Sequence, residues 1–307
     1  MSDWTQLATG QTYPPATLYV VATPIGNVAD LSLRALHVLG LVDAIACEDT
    51  RNTGQLLSRV GVQRPLVAVH EHNEREAAVR IVERLAAGER IAYVSDAGTP
   101  GISDPGARLV EAVRAAGLRV TPLPGPSAAV TALSVAGDML EAGGGRFTFV
   151  GFLPGKAKAR NDAIAQCAVL DHAWILYEAP HRIADTLAAL ADALPASRRI
   201  LIGRELTKLF EETPVMRVAD APAWLAAEPT RGKGEFVLVI EGASRAEGSD
   251  ADAPDAEAAR VLKLLLAELP AKRAAKLTSA ITGAKTDALY KLALAQRTDG
   301  DSDADDD

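Results

Sequence analysis

Short apolar runs alternate with amphipathic stretches along most of the chain. Leu18–Ala22, Ala44–Cys47, Leu66–Val69, Ile91–Val94 and Arg119–Leu123 have strand length, Val and Ile content, and turn residues behind them. Between them, Ser32–Leu39, Thr53–Val60, Glu74–Ala87 and Gly106–Ala116 predict helices. In Glu74–Ala87 the positions Ala77, Ala78, Ile81, Val82 and Leu85 make one apolar face, with charge opposite. Such alternation predicts an α/β unit with a largely parallel sheet. After TPLPGPSAAVTAL the pattern restarts: Phe147–Gly151, Trp174–Tyr177, Ile200–Gly203, Val215–Val218 and Phe236–Ile240 predict strands, and Asn161–Val169, Arg182–Leu190 and Pro222–Ala226 predict helices.

Breaks in the pattern set the expected domains. Pro122, Pro124 and Pro126 around Gly125 form a stiff junction. An N-terminal extension (1–17) thus precedes one α/β domain over 18–123 and a second over 124–242. Residues 243–256, rich in Asp, Ala, Gly and Ser, read as a flexible linker. Three short helices follow in 257–297, at Ala258–Leu269, Ala271–Ile281 and Lys285–Ala295, and residues 298–307 read as a disordered acidic tail.

Composition narrows the class. The 307 residues are 48% apolar and 23% charged, and no run approaches the ~18 uncharged apolar residues of a membrane span. MSDWTQ has neither basic nor apolar leader character, and Cys47 and Cys167 stand in apolar surroundings at no ligand spacing. A cytoplasmic protein with reduced thiols and no membrane partner is expected. The net charge of −8 is unevenly spread: residues 299–307 carry six Asp, whereas 257–297 carry eight Lys or Arg against three acids. A basic module is therefore attached to a mildly acidic body.

Chemistry is expected where turn-rich segments follow strands, because ligands of open α/β sheets sit outside the carboxyl ends of the strands. Five segments qualify: ATPIGN (22–27), SDAGTPGISDPG (95–106), PGPSA (124–128), YEAPHR (177–182) and GRELTK (203–208). In the second, three glycines, two prolines and two aspartates crowd behind an apolar run, more than a turn requires. Gly98 and Gly101 would let backbone approach a flat ligand, and Pro100 and Pro105 would keep the loop rigid. Asp104 stands where it could cap the helix that Gly106 opens. Nucleotide fingerprints fail: GFLPGKA at 151–157 is one residue short of a Walker A loop, and TPIG after the first strand is not G-x-G-x-x-G. His70, Glu71 and His72 lie at alternating strand positions with no further ligand near in sequence, so no metal is expected. Ser127 sits in GPSA, not in a nucleophile elbow.

Together with ACEDTR (46–51), HEHNE (70–74) and GEFVLVIEG (234–242), these segments resemble the tetrapyrrole (corrin/porphyrin) methylase superfamily. Within it the chain is similar to the bacterial branch that methylates the ribose 2′-hydroxyl of a 16S ribosomal RNA cytidine in the decoding region. The resemblance runs from about Leu18 to Gly242, and the basic helices resemble that branch's helix-turn-helix-like appendage. It implies a two-domain class III S-adenosylmethionine (SAM) methyltransferase fold with a small all-α C-terminal module. It further implies SAM in the cleft between the two α/β halves, a homodimer, and 16S rRNA within the small ribosomal subunit as partner.

Carried over by motif, Thr23, Pro24 and Ile25 would line the cofactor. Asp96, Ala97, Gly98 and Thr99 would hold its amino-acid and ribose portions, and Ser127, Ala128, Tyr177, Glu178, Arg204, Glu205, Glu235 and Phe236 would complete the pocket. The corrin enzymes carry a more glycine-rich first loop than TPIGN. For proton removal from the acceptor the candidates are Glu48, Asp49, Arg51, Asp104, His181, Arg182 and Lys208, with His181 and Asp104 preferred and Glu48–Arg51 expected as an ordinary ion pair. RNA contact is expected at Lys156, Lys158 and Arg160 of a solvent-facing KAKAR loop, at Arg182 and Lys208, and at Lys272, Arg273, Lys276, Lys285 and Lys291. Two other readings stay open: a methylase of a small tetrapyrrole, and a non-catalytic RNA-binding assembly factor.

Overall fold

A computed structural model of the chain describes residues 7–70, 73–243 and 256–300. Residues 1–243 form one compact unit and 244–307 a second.

The first half of the larger unit contains β1 (Thr17–Val21), α1 (Leu33–Leu41), β2 (Ala44–Cys47), α2 (Thr50–Arg59), β3 (Leu66–Ala68), α3 (Glu74–Ala86), β4 (Arg90–Val94), α4 (Ala107–Ala115) and β5 (Arg119–Leu123). Its strands are all parallel, in the order β3-β2-β4-β1-β5. Successive side chains point to opposite faces, and both faces are covered. Tyr19, Val21, Ile45, Cys47, Ala92 and Val94 pack with α1 on one side. Leu18, Ala46, Ile91 and Tyr93 pack with α3 and α4 on the other.

The second half contains α5 (Ala128–Ser134), α6 (Asp138–Glu141), β6 (Phe147–Phe152), α7 (Ala157–Ala168), β7 (Ala173–Glu178), α8 (Ile183–Ala193), β8 (Arg199–Arg204), β9 (Val215–Arg217), α9 (Ala221–Ala226) and β10 (Phe236–Ile240). Here the expectation of a largely parallel sheet is corrected. The order is β6-β7-β10-β8-β9, and only β6 and β7 pair in parallel. The last strand inserts antiparallel between β7 and β8, and β9 returns antiparallel on the edge. A core around Trp174, Leu176, Ile202 and Leu238 lies on one face, and α5 covers Ile175, Leu201, Val237 and Val239 on the other. KAKAR is likewise no loop, because α7 begins at Ala157.

The smaller unit contains α10 (Ala256–Leu266), α11 (Ala271–Thr282) and α12 (Thr286–Gly300), packed through Ala258, Leu262, Ala274, Ala275, Leu289 and Ala293. Gly283 ends α11 in the left-handed conformation. The helix α12 continues through Gly300, so residues 298–300 are helical where a tail was expected. The rest of that tail (301–307) and residues 244–255 of the expected linker lie outside the described residues.

The segment between β4 and α4 is the least ordinary backbone in the first half. Gly98, Gly101 and Gly106 adopt φ of +79°, +82° and +127°, and Ser103 follows at +63°. At Gly106 an added Cβ would sit 2.3 Å from the Tyr93 ring. No side chain caps α4 from its own N-terminus. Instead the buried Glu74, at the start of α3, accepts hydrogen bonds through Oε1 from the amides of Gly106 (3.1 Å), Arg108 (3.1 Å) and Leu109 (3.3 Å). A carboxylate at a helix N-terminus satisfies orphan donors and complements the helix dipole. Asp104, expected as a possible cap, is thereby free of that task.

Glu74→Ala should destabilise the larger unit by at least about 1–3 kcal/mol, the usual effect of orphaning a buried donor, and Glu74→Gln should recover part of the loss. Thermal melts and faster amide exchange over residues 102–109 would register it.

Candidate active site

The loops behind β1 and β4 in the first sheet meet loops from the second sheet around a cavity of about 320 Å³. Its first-sheet wall runs from Ala97 through Asp104, with Ile25 from the loop after β1. The opposite wall is Tyr177 to Pro180, Gly203, Leu206 and Glu235 to Val237, with Ser127, Ala128 and Phe152 completing the ring.

Each wall is fixed by backbone. Thr23 and Gly98 exchange amide hydrogen bonds of 2.9 and 3.0 Å, which ties the first loop to the β4 loop. The Thr23 hydroxyl donates to the Ser95 carbonyl at 3.1 Å. The Thr99 hydroxyl donates to the Pro126 carbonyl at 3.0 Å, joining the β4 loop to the proline junction. Across the cavity, the Tyr177 hydroxyl accepts from the Ala129 amide at the start of α5 (3.2 Å), and its ring meets Phe149 and Phe152 edge-on at 5.0 and 5.8 Å. The two halves also touch at Gly26, where an added Cβ would lie 2.5 Å from the Lys208 side chain, and the Asn27 amide donates to the Thr207 hydroxyl at 3.1 Å.

Of the residues expected around a cofactor, Ile25, Ala97, Gly98, Thr99, Ser127, Ala128, Tyr177, Glu178, Glu235 and Phe236 line this cavity. The others stand behind or beside it. Thr23 is buried in the clamp just described and Pro24 adjoins it. Asp96 turns away, accepting from the Asp49 amide (3.2 Å) and the Asn52 side chain (2.8 Å). Arg204 is buried and wholly engaged, donating to the carbonyls of Phe210, Thr230, Arg231 and Lys233 and pairing with Glu212 at 3.2 Å. Glu205, at φ +52°, pairs with Lys208 at 2.9 Å. Sequence reasoning did not select Ile102, Ser103, Phe152, Ala179, Pro180, Gly203, Leu206 or Val237. All but one stand inside the motif segments; Phe152 is an ordinary strand residue whose place at the cleft follows from the topology of the second sheet.

The base candidates also separate. Asp104 lines the cavity, whereas the exposed His181 is not among its lining residues. Burial, and then the charge of Asp96, hold the Asp104 carboxyl above its ordinary value, although a hydrogen bond from Ser95 opposes this. Burial and the carboxylates of Asp96, Asp104 and Asp49 likewise push Glu48 up. Asp49 behaves oppositely: hydrogen bonds from Arg51 bring it down to about 2. The ion pair expected between Glu48 and Arg51 is therefore Asp49–Arg51, at 2.7 Å. Glu178 is buried, accepting from the Ala179 amide (2.8 Å) and the Thr186 hydroxyl (2.6 Å) and pairing with Arg182 at 3.2 Å.

The expected RNA contacts divide similarly. Arg160 is largely buried, 3.7 Å from Asp185, and Lys208 bridges Glu205 and Glu235. Arg182 is half-buried and donates to the Leu153 carbonyl. Lys156, Lys158, Lys272, Arg273, Lys276, Lys285 and Lys291 are exposed. His70 is described, while Glu71 and His72 of the dismissed metal motif lie outside the described residues. Among the described residues no group of three His, Cys, Asp or Glu could hold a metal, and no helix is long and apolar enough to cross a membrane.

A cavity ringed by loops at the strand ends of two such sheets is a ligand site of the α/β kind. The family model for tetrapyrrole (corrin/porphyrin) methylases matches residues 17–222, and that for the RsmI C-terminal HTH domain matches 252–297. Two solved structures share the fold: the methyltransferase CobJ (TM-score 0.55, 22% identity) and a uroporphyrin-III-C-methyltransferase from Thermus thermophilus (0.51, 21%), each covering 74% of this chain and 94% of its own. Curated relatives named ribosomal RNA small subunit methyltransferase I are much closer in sequence. The one from Xylella fastidiosa is 50% identical over 90% of this chain and 98% of its own, and the one from Haemophilus influenzae 46% over 91% and 96%. The chain belongs to the tetrapyrrole methylase family and, within it, to the ribosomal RNA small subunit methyltransferase I group.

A carboxyl group whose pKa is raised by folding contributes stability while it is protonated and loses it as pH rises through the raised pKa. Asp104→Asn, neutral at every pH, should therefore melt higher than wild type at pH 7.5, and the gap should close on acidification toward the ordinary carboxylate range near ~4. A lower melting point at pH 7.5 would mean that a partner holds the carboxylate in its charged form.

Proposed function

We propose that this protein transfers the methyl group of SAM to the ribose 2′-hydroxyl of a cytidine in the decoding region of 16S rRNA, in the cytoplasm and as a homodimer. The observation that carries the reading is the cavity walled jointly by residues 97–104 and by the ends of β7, β8 and β10, in a chain that aligns with the rRNA methyltransferase relatives over nine-tenths of its length.

The cavity suits SAM on its own chemistry. Backbone at Ala97 to Thr99, with glycine at the one left-handed position among them, admits close approach. Ile25, Leu206, Val237 and Tyr177 offer apolar surface for a flat ring, while Glu178 and Glu235 on the opposite wall are already paired with Arg182 and Lys208. The bound group supplies an electrophilic methyl on a sulfonium, and the protein supplies alignment and electrostatics. Asp104, on the cavity wall and kept at a raised pKa, is placed to accept the proton of an incoming hydroxyl. The rigid β4 loop fixes its position, because Glu74 and the Thr23–Gly98 exchange hold that loop from both ends.

The basic helical module adds the electrostatic term that a large polyanion needs and a small tetrapyrrole does not. On α11, Lys272, Arg273 and Lys276 fall on one exposed side, opposite the buried Ala274, Ala275 and Thr278.

In single-turnover methylation of small ribosomal subunits lacking the modification, Asp104→Ala should be slowed by roughly 10²-fold with SAM affinity kept, whereas His181→Ala should stay near wild type. Near wild-type rates for both would remove the base assignment. The triple change K272A/R273A/K276A should weaken RNA binding and flatten its salt dependence by about two logarithmic units, with SAM binding by calorimetry unchanged. An unaltered salt slope would take the module out of RNA binding.

A further inference from the structure

At the mouth of the cavity stand two large apolar side chains that folding leaves in water. Phe152, the last residue of β6, is 52% exposed, and Ile102, in the β4 loop, is 43% exposed. Both line the cavity, one from each sheet. Between them the halves nearly touch, since an added Cβ at Gly151 would lie 3.1 Å from the Ser103 hydroxyl. Gly151 adopts φ +73° and Ser103 +63°, each in the left-handed region. The register of β6 against β7 also shifts between Phe149 and Gly151, so the strand is locally re-aimed just before Phe152. Glycine takes that conformation freely, but Ser103 holds it at a cost, which marks its side of the contact as a place where geometry has been imposed.

Folding gains nothing from leaving an aromatic ring and a branched aliphatic chain in water, whereas stacking of a ligand ring would gain from it. The surroundings identify that ligand. The exposed Lys156, just ahead of α7, follows Phe152 by four residues and so lies at most about 14 Å away. Lys158, the second residue of the helix, is exposed and pairs at the surface with Asp162 at 3.0 Å. A flat apolar seat with cations beyond it matches a base attached to a phosphate backbone. Asp104 stands on the same cavity wall two residues after Ile102, so a base seated here would bring its own sugar toward that carboxyl.

We infer that Phe152 and Ile102 form a stacking seat for the nucleobase of the acceptor nucleotide, drawn out of its helix, with Lys156 and Lys158 meeting the neighbouring phosphates. The seat rests on the RNA-methylation reading and names where the acceptor, as distinct from the cofactor, is held. A base leaving a duplex loses its stacking partners, and a protein ring that replaces them offsets that loss.

The test uses the full chain and a ribosomal-RNA fragment of the decoding region with 2-aminopurine at the acceptor position, alongside methyl transfer to small subunits. In wild type the extracted 2-aminopurine should stay quenched by stacking in the seat, whereas F152A and I102A, which leave it unstacked, should each lose that quench and brighten. In transfer, both should raise the KM for subunits roughly tenfold while the calorimetric Kd for SAM stays within twofold. F152W should restore quench and KM, which a purely structural role would not do. Quenching by wild type without methyl transfer would keep the seat and remove the methylation reading. The seat itself is overturned if the alanine variants keep wild-type quench and KM, if they weaken SAM binding in step with KM, which assigns Phe152 to the cofactor wall, or if wild type does not quench.

Discussion

One buried carboxylate underlies the geometry of this site. Glu74 is taken out of water and given three backbone amides at the head of α4. Its placement fixes where the β4 loop must end. The other end is fixed by the amide exchange between Thr23 and Gly98. Between these anchors the chain has few conformations left: Gly98, Gly101 and Gly106 are left-handed, and the Tyr93 ring fills the space a side chain at 106 would need. The loop is therefore a rigid wall, and Ala97, Thr99, Ile102 and Asp104 are carried on it as fixtures.

The second sheet meets that wall with different engineering. Its mixed topology places β10 between β7 and β8, so the ends of three strands converge on one side of the cavity. Buried polar groups there are satisfied internally: Glu178 by Ala179, Thr186 and Arg182, and Arg204 by four carbonyls and Glu212. Unpaired buried charges are costly, so these motif residues shape the cleft first by holding loops. Solved structures near 21–22% identity share this fold. What separates a polyanion's enzyme from one for a small ring, in this account, is the side chains at the mouth and the appended basic helices.

Much of this was legible in the sequence because burial leaves a period. The strands of the first sheet read correctly because residues such as Ala44–Cys47 are apolar on both faces. Strand direction leaves no such mark, so the antiparallel insertion of β10 was not readable. Short Ala-rich α5, behind three prolines, and the four-residue α6 fell below any useful window. Motifs located the cavity, since most residues around it belong to the quoted segments. They did not sort contact from support. Arg204, Arg160 and Lys208 read as available cations, and only the fold shows the carbonyls and carboxylates that already engage them. The same holds for Asp96 and Asp104, eight residues apart on one loop, of which only Asp104 faces the cavity.

The central claim is that the facing strand ends and loops of two sheets assemble a site for methylating a ribose. It is tested most directly by the position of the transferred methyl. Small ribosomal subunits lacking the modification are incubated with the protein and methyl-labelled SAM, and the RNA is then hydrolysed in alkali. A methyl on a 2′-oxygen removes the nucleophile that cleaves the adjacent phosphodiester, so the account predicts the label in an alkali-resistant dinucleotide whose first nucleoside is cytidine. Label recovered in a mononucleotide would place the methyl on a base and contradict it.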